Sequence, residues 1–298
     1  MSAISITAEA VKTLRERTGA GMMECKKALT ETNGDLDAAA EMMRKTGLAK
    51  ADKKAGRIAA EGVVVIERSA DGKTAAVVEV NCETDFVARE KDFQNFAANA
   101  GKVALAVHAQ GVEAILSGKL ADGSTVEEAR RVLIAKIGEN ITIRRVALME
   151  APVLGTYLHG SRIGALVALK SGDEAVAKDV AMHVAAINPP HLSVAEVPAE
   201  VVAKEKEIQL EQIKLDPKNA SKPEEMLAKI IDGKLRKWVG EITLLGQPFV
   251  KDDKQTVEQY LKANKAEVAS FLRFEVGAGI EKQKEDYVAE VMKQAFGG

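Results

Sequence analysis

The side chains able to do chemistry in this chain are few and scattered. Its four histidines, His108, His159, His183 and His191, stand at spacings that no metal-ligand set uses. His183 falls on or near the apolar stripe of a helix, which gives it a packing role. Cys25 and Cys82 form no Cys-x-x-Cys pair and are too few for a disulfide framework. Cys82 carries a nucleophilic atom, but its sequence neighbours offer no base, so a structural role is expected. Gly19-Ala20-Gly21 and Gly277-Ala278-Gly279 lack the flanking residues of a phosphate-cradling loop, and no Gly-x-Ser-x-Gly elbow occurs. The chain therefore reads as one without a catalytic centre, metal or cofactor.

What is left suits contact rather than reaction. Met22 and Met23 adjoin Lys26 and Lys27; on a helix the two methionines lie about 100° apart. Met22 is expected on the inward stripe of Cys25 and Leu29, with Met23 toward the lysines, either half-buried or exposed. The stretch VNCETDFVAR, Val80 to Arg89, places a phenylalanine at the end of a strand-like run. In a single helix through 86–107, Phe86 would share the stripe of Phe93, but the bridging Arg89 and Glu90 are charged. Thr84 or Asp85 can cap a short first turn and Asp92 a fresh helix. Spacing leaves two orientations open for Phe86, packed at the core or rim, or aimed at a partner. His159 is expected at a two-residue hairpin tip, exposed by construction.

The elements that must hold these residues change character along the chain. Residues 7–46 read as three short helices. Thr7 caps the first, with Val11 and Leu14 inward; Asp35 caps the third, with Leu36, Ala39, Ala40 and Met43 on one face and Gly47 as terminator. Residues 48–61, with Lys50, Lys53, Lys54 and Arg57, read as a wet tether. Val63 to Glu67, Asp71-Gly72 and Thr74 to Val80 give a β-hairpin signal. A helix striped by Phe93, Phe96, Ala97, Ala100, Ala104 and Val107 follows, then a polar interval, a helix over Thr125 to Ile137 and a strand over Ile141 to Met149.

The order then recurs. Thr156 to Leu158 and Arg162 to Leu169 form a second hairpin, followed by a helix striped by Val176, Val180, Val184 and Ile187. The strand 267–276 echoes 141–146, which suggests two diverged copies of one hairpin–helix–strand unit. The second copy is interrupted by two charged helices, 199–215 and 224–242, the latter striped by Leu227, Ile231, Leu235, Trp238 and Ile242. Asp216 to Pro223 turns between them, making a projecting helical hairpin. A last helix is expected over Lys282 to Ala295, with Val288, Val291, Met292 and Ala295 as its apolar face. The class is α+β.

Composition sets outer limits. The 298 residues allow about two domains, and 46% hydrophobic with 29% charged residues is a soluble globular balance. A net charge of −2 supplies no global basic field for nucleic acid or anionic lipid. No 18-residue apolar run and no targeting segment is read, so a reducing cytoplasm, or an organelle interior after removal of a transit peptide, is the expected compartment.

Four ordered blocks carry a resemblance: LRERTGAGMMECKKAL at Leu14 to Leu29, NCETDFVA at Asn81 to Ala88, HGSRIG at His159 to Gly164, and GQPFV at Gly246 to Val250. With them the chain closely resembles the bacterial elongation factor Ts family, the guanine-nucleotide exchange factors of elongation factor Tu, over essentially its whole length. The resemblance implies an N-terminal ubiquitin-associated-like module over 1–55 and a core of two pseudo-repeated subdomains, 56–150 and 151–198 with 241–276. It further implies a coiled-coil hairpin over 199–240 and a C-terminal helical module over 277–298. By the same resemblance, Asp85 and Phe86, flanked by Thr84 and Val87, enter the partner's G domain. There Phe86 wedges between two helices near the switch region and weakens the Mg²⁺ and phosphate site. Arg15, Met22 and Met23 match positions that contact the G domain, His159 matches a tip residue near the partner's third domain, and the C-terminal helix packs on the G domain. Glu83 departs from the family pattern, standing where a familiar member carries Gln. The partner would be met GDP-bound and nucleotide-free, without direct nucleic-acid or membrane contact, one to one or as a dimer of heterodimers. Two other classes compete: a helical adaptor binding peptides or ubiquitin-like partners, which explains residues 7–46 but not Asp85-Phe86, and a metabolic enzyme, for which no motif is present.

Overall fold

The computed structural model describes residues 6–215 and 222–281. The chain opens with α1 (Ala8–Thr18), α2 (Met22–Glu31) and α3 (Leu36–Lys54). Thr7 caps α1 by accepting the Ala10 amide, Gly19 ends it in the left-handed region, and Asp35 accepts the Asp37 and Ala38 amides ahead of α3. Val11, Leu14, Cys25, Ala28, Leu29 and Ala39 form a small closed core, with Leu36, Ala40 and Met43 against it.

Gly47 does not end α3, which runs on through Lys54. A Cβ at Gly47 would stand 3.0 Å from that of Ala135, so the glycine admits a neighbouring helix rather than stopping its own. The stretch 48–54 read as tether is therefore helical, and Lys54 Nζ donates to the Gly138 carbonyl. The side chain of Lys50 lies outside the described residues.

Next come β1 (Glu61–Arg68), β2 (Thr74–Cys82), α4 (Asp85–Arg89), α5 (Lys91–Ala106), α6 (Val112–Ser117), α7 (Val126–Ile137) and β3 (Ile141–Glu150). The stripe of α5 is buried from Phe93 to Ala104, but Val107, at the C-cap, is exposed. Its N-cap is Glu90, not Asp92, which sits in the first turn and pairs with Lys136 at 2.7 Å. α6 fills part of the interval that the sequence presents as merely polar. Thr125 and Glu128 make a full capping box for α7.

The second copy begins with β4 (Val153–His159), β5 (Ile163–Ser171) and α8 (Glu174–Ile187). Pairing from Val153↔Leu169 to His159↔Ile163 leaves the three-residue turn Gly160-Ser161-Arg162, one residue longer than expected. After α8 come α9 (Ala199–Leu215) and α10 (Glu224–Glu241), packed on one another with Ile213, Ile231 and Val239 buried. Residues 216–221, where the turn was expected, lie outside the described residues, as do 282–298 and the expected last helix. β6 (Pro248–Phe249), β7 (Asp252–Thr256), α11 (Val257–Ala263) and β8 (Glu267–Glu275) complete the order.

The larger sheets share one topology: β1-β2-β3 and β4-β5-β8, each a hairpin whose second strand pairs with a strand arriving later. The second sheet packs its buried Ala165, Val167 and Leu169 on Val176, Ala177, Val180 and Val184 of α8, with Leu244, Phe249, Val257 and Leu261 completing the cluster. Ile187, expected on that stripe, is exposed at the helix end. By compactness the described residues divide into two units, one of 6–65, 78–146 and 275–281, the other of 66–77, 147–215 and 222–274.

Candidate partner-binding site

Phe86 is 77% exposed. Its exposure follows from how α4 begins and ends. Thr84 is the N-cap, extended in backbone, and its Oγ1 accepts the Val87 amide at 3.4 Å. Phe86 is then the second helical residue and Val87 the third. Val87 turns inward and is buried, which turns Phe86 outward. Glu90 is again extended, closing α4 after five residues and starting α5 in a new phase. Without that break Phe86 would follow the stripe of Phe93, which is fully buried. The charged Arg89-Glu90 pair is thus what separates the exposed phenylalanine from the core phenylalanines.

A reciprocal exchange of carboxylates holds the helix start to the loop between α7 and β3. Glu139 Oε2 accepts the Glu83 and Thr84 amides at 3.1 and 3.0 Å, and its Oε1 accepts the Thr84 hydroxyl at 2.7 Å. In return Glu83 Oε1 accepts the Asn140 amide at 2.6 Å, and its other oxygen lies 3.6 Å from the Arg57 guanidinium. Asn140 is buried and passes the contact on, donating from Nδ2 to the Arg57 carbonyl at 2.7 Å. The charge that Glu83 adds beside Phe86 is therefore taken up by Asn140 and Arg57.

Of the other expected contact residues, Asp85 is half-buried and accepts from Arg89 one turn on, at 2.7 Å. Thr84 is occupied as the cap of α4, and Val87 is buried. Arg15 is exposed on α1. Met22 is not inward: it is 59% exposed, and Met23 77%. α2 begins at Met22, so the residue lies ahead of the first full turn, beyond the small core that Cys25 and Leu29 reach. His159 is exposed at the end of β4, with Tyr157 Oη 3.4 Å from its Nδ1.

Cys82 and His183 serve the structure. The Cys82 thiol donates to the Thr84 carbonyl at 3.2 Å; burial, then the charges of Glu139 and Glu61, push it up to about 12. A thiol so held is no nucleophile. His183 is buried, accepts the Val250 amide at Nδ1 (3.1 Å) and so donates from Nε2 to Gln247 (2.9 Å). Burial pushes its pKa down, keeping the ring neutral. Among the described residues no group of three or more His, Cys, Asp or Glu is placed to hold a metal ion, and no helix is long and apolar enough to cross a membrane.

Sequence spacing leaves the orientation of Phe86 open, which the structure turns outward, and it does not reach the contacts of Glu83, Glu139 and Asn140. Only one signal was available: a polar Glu-Asn pair between the left-handed helix terminator Gly138 and the buried strand residue Ile141.

An α+β scaffold that holds an exposed phenylalanine outside its cores is the kind expected of a factor that acts by binding another protein. Residues 83–278 match the family described as Elongation factor TS. Over 293 residues, 98% of this chain and 99% of the relative, it is 55% identical to Elongation factor Ts of Methylococcus capsulatus and 56% to that of Xanthomonas axonopodis pv. citri. The Legionella pneumophila protein of the same name is 54% identical over 97% of this chain and 98% of its own. The chain belongs to the elongation factor Ts family, the nucleotide exchange factors for elongation factor Tu. The adaptor reading rested on residues 7–46, whereas the family match begins at residue 83 and takes in Asp85-Phe86.

Proposed function

We propose that this chain binds elongation factor Tu in the cytoplasm, GDP-bound and nucleotide-free, and speeds GDP release by inserting Phe86 into the G domain. Insertion loosens the Mg²⁺ and phosphate site; the chain itself makes or breaks no covalent bond. The observation that carries this reading is the exposure of Phe86 on a helix start anchored through Thr84, Val87 and Glu139. A ring carried on a backbone already anchored in place leaves only its own rotamer freedom to lose when a partner covers it.

Factor and nucleotide oppose one another reciprocally, since a chain that weakens GDP is itself weakened by GDP. An acceleration of ~10⁴-fold needs about 5.5 kcal/mol of differential stabilisation. Covering one phenylalanine gives about 2–3 kcal/mol. The remainder falls to other contacts, for which Arg15, Met22, Met23 and His159 are exposed. The charge of −2 favours neither direct nucleic-acid nor membrane contact. Stopped-flow GDP release from elongation factor Tu tests the assignment. Phe86→Ala should lower the stimulated rate by ~30-fold or more with the fold intact; undiminished stimulation sinks it.

A further inference from the structure

We infer that Glu139, with Glu83 as its reciprocal partner, is a positioning residue for nucleotide exchange: the two carboxylates set the pose in which Phe86 is presented. The inference rests on the wedge reading above. Phe86 itself has no side-chain lock, being exposed, so its direction is inherited from the backbone of residues 83–87. Three donors at the start of that backbone, the Glu83 amide, the Thr84 amide and the Thr84 hydroxyl, converge on the single carboxylate of Glu139. The same Thr84 hydroxyl oxygen accepts the Val87 amide, so one atom ties the cap of α4 to Glu139. Glu83 closes the loop from the other side by accepting the Asn140 amide.

Two features make this more than ordinary loop bonding. Each of two adjacent segments, 83–84 and 139–140, gives a carboxylate to the backbone of the other, so neither can rotate without breaking bonds in both. The site is also tied to Arg57 through both Asn140 and Glu83, so the clasp joins three separate stretches of chain beneath the wedge. Bonds from charged acceptors are the stronger kind, and losing such an acceptor leaves its donors unpaired. Glu139 touches no partner atom in this role; it acts through Phe86.

The test is GDP release from elongation factor Tu against factor concentration, for wild type, Phe86→Ala, Glu139→Ala and the double variant. Glu139→Ala is expected to lower the saturating release rate about 10-fold with little change in half-saturating concentration, since a charged acceptor with several donors is removed. In the Phe86→Ala background it should add almost nothing, because two changes acting through one element are not additive. Glu139→Gln, which keeps one acceptor oxygen, should restore part of the rate. If Glu139→Ala proves poorly folded, Thr84→Val removes the shared hydroxyl at constant shape and should give the same non-additivity. Full rate in Glu139→Ala, or independent losses in the double variant, overturns the clasp while leaving the wedge standing. Full rate in Phe86→Ala alone overturns the wedge itself.

Discussion

The two copies of the hairpin unit pass from strand to helix in the same cap geometry and put it to different use. In the first, Thr84 caps α4; in the second, Asp173 caps α8, accepting the Val176 amide at 2.9 Å. Counting from the cap, the third helical residue is buried in both, Val87 and Val176, and the second is exposed in both, Phe86 and Ala175. Exposure at that position is therefore a property of the capped turn, and only the first copy fills it with an aromatic ring. The copies also reach the cap differently. The second uses backbone, with Gly172 at φ +119° against Ala266, whereas the first uses the Glu83 and Glu139 side chains. Five residues before the cap the contrast is larger still, buried Glu79 against buried Ala168. One topology can thus present an exposed aromatic ring at one junction and a small alanine at the other.

The largest effect expected from breaking this contrast is at Glu79. Its carboxylate meets Arg144 at 3.1 Å, Arg145 at 2.5 Å and the Gly277 amide at 2.8 Å. Glu79→Ala removes the carboxylate that two arginines share, leaving them their carbonyl contacts at Ala278 and Glu275, and should cost about 3–5 kcal/mol in urea unfolding; Ala168→Ser, at the same offset in the second copy, should cost far less. Next is the exposed position. Ala175→Phe should alter GDP release by less than about twofold, against the large loss in Phe86→Ala, since a surface change away from a contact has little to act on. A matching gain or loss at Ala175 would show that the second copy also meets the partner.

Smaller is the backbone route: Gly172→Ala should destabilise by about 1–3 kcal/mol, because its φ disfavours a side chain. An unchanged melting temperature would mean that the junction relaxes freely. Smallest is the difference in pH response. His183 is held neutral by burial, whereas the unfolded chain takes up that proton below about pH 6.5. Its contribution is present at neutral pH and lost as the pH falls below that value. Burial pushes Glu79 up, but the Gly277 amide and the two arginines outweigh it and hold it below the ordinary carboxylate range. Its contribution is present above about pH 4.3 and lost only as the pH falls through the lower folded value. Thermal melts should therefore soften first between pH 7 and 5, a slope that His183→Gln reduces, and again in stronger acid, a slope that Glu79→Gln reduces. A curve unchanged by either substitution would refute the assignment.

The sequence alone settled whatever depends on neighbours within a turn or two. Thr7 and Asp35 are caps because a short side-chain oxygen reaches an amide three residues on; the structure chooses Thr84 over Asp85 and makes Thr125 a cap rather than a helical residue. The Phe93 stripe, both hairpins and the charged break at Arg89-Glu90 follow from period alone, and the four motif blocks carried the family. Tertiary structure decided what depends on residues distant in the chain. Gly47 reads as a helix stop until Ala135 is found against it. Met22 reads as inward until the small core proves too short to reach it. Glu139 gains its role only where it meets Thr84, 55 residues away, and Glu79 only where it meets Gly277, 198 residues away. Local hydrogen bonds and periodicity are written in adjacent letters; the partner of a buried carboxylate is selected by chain closure, which adjacent letters do not record.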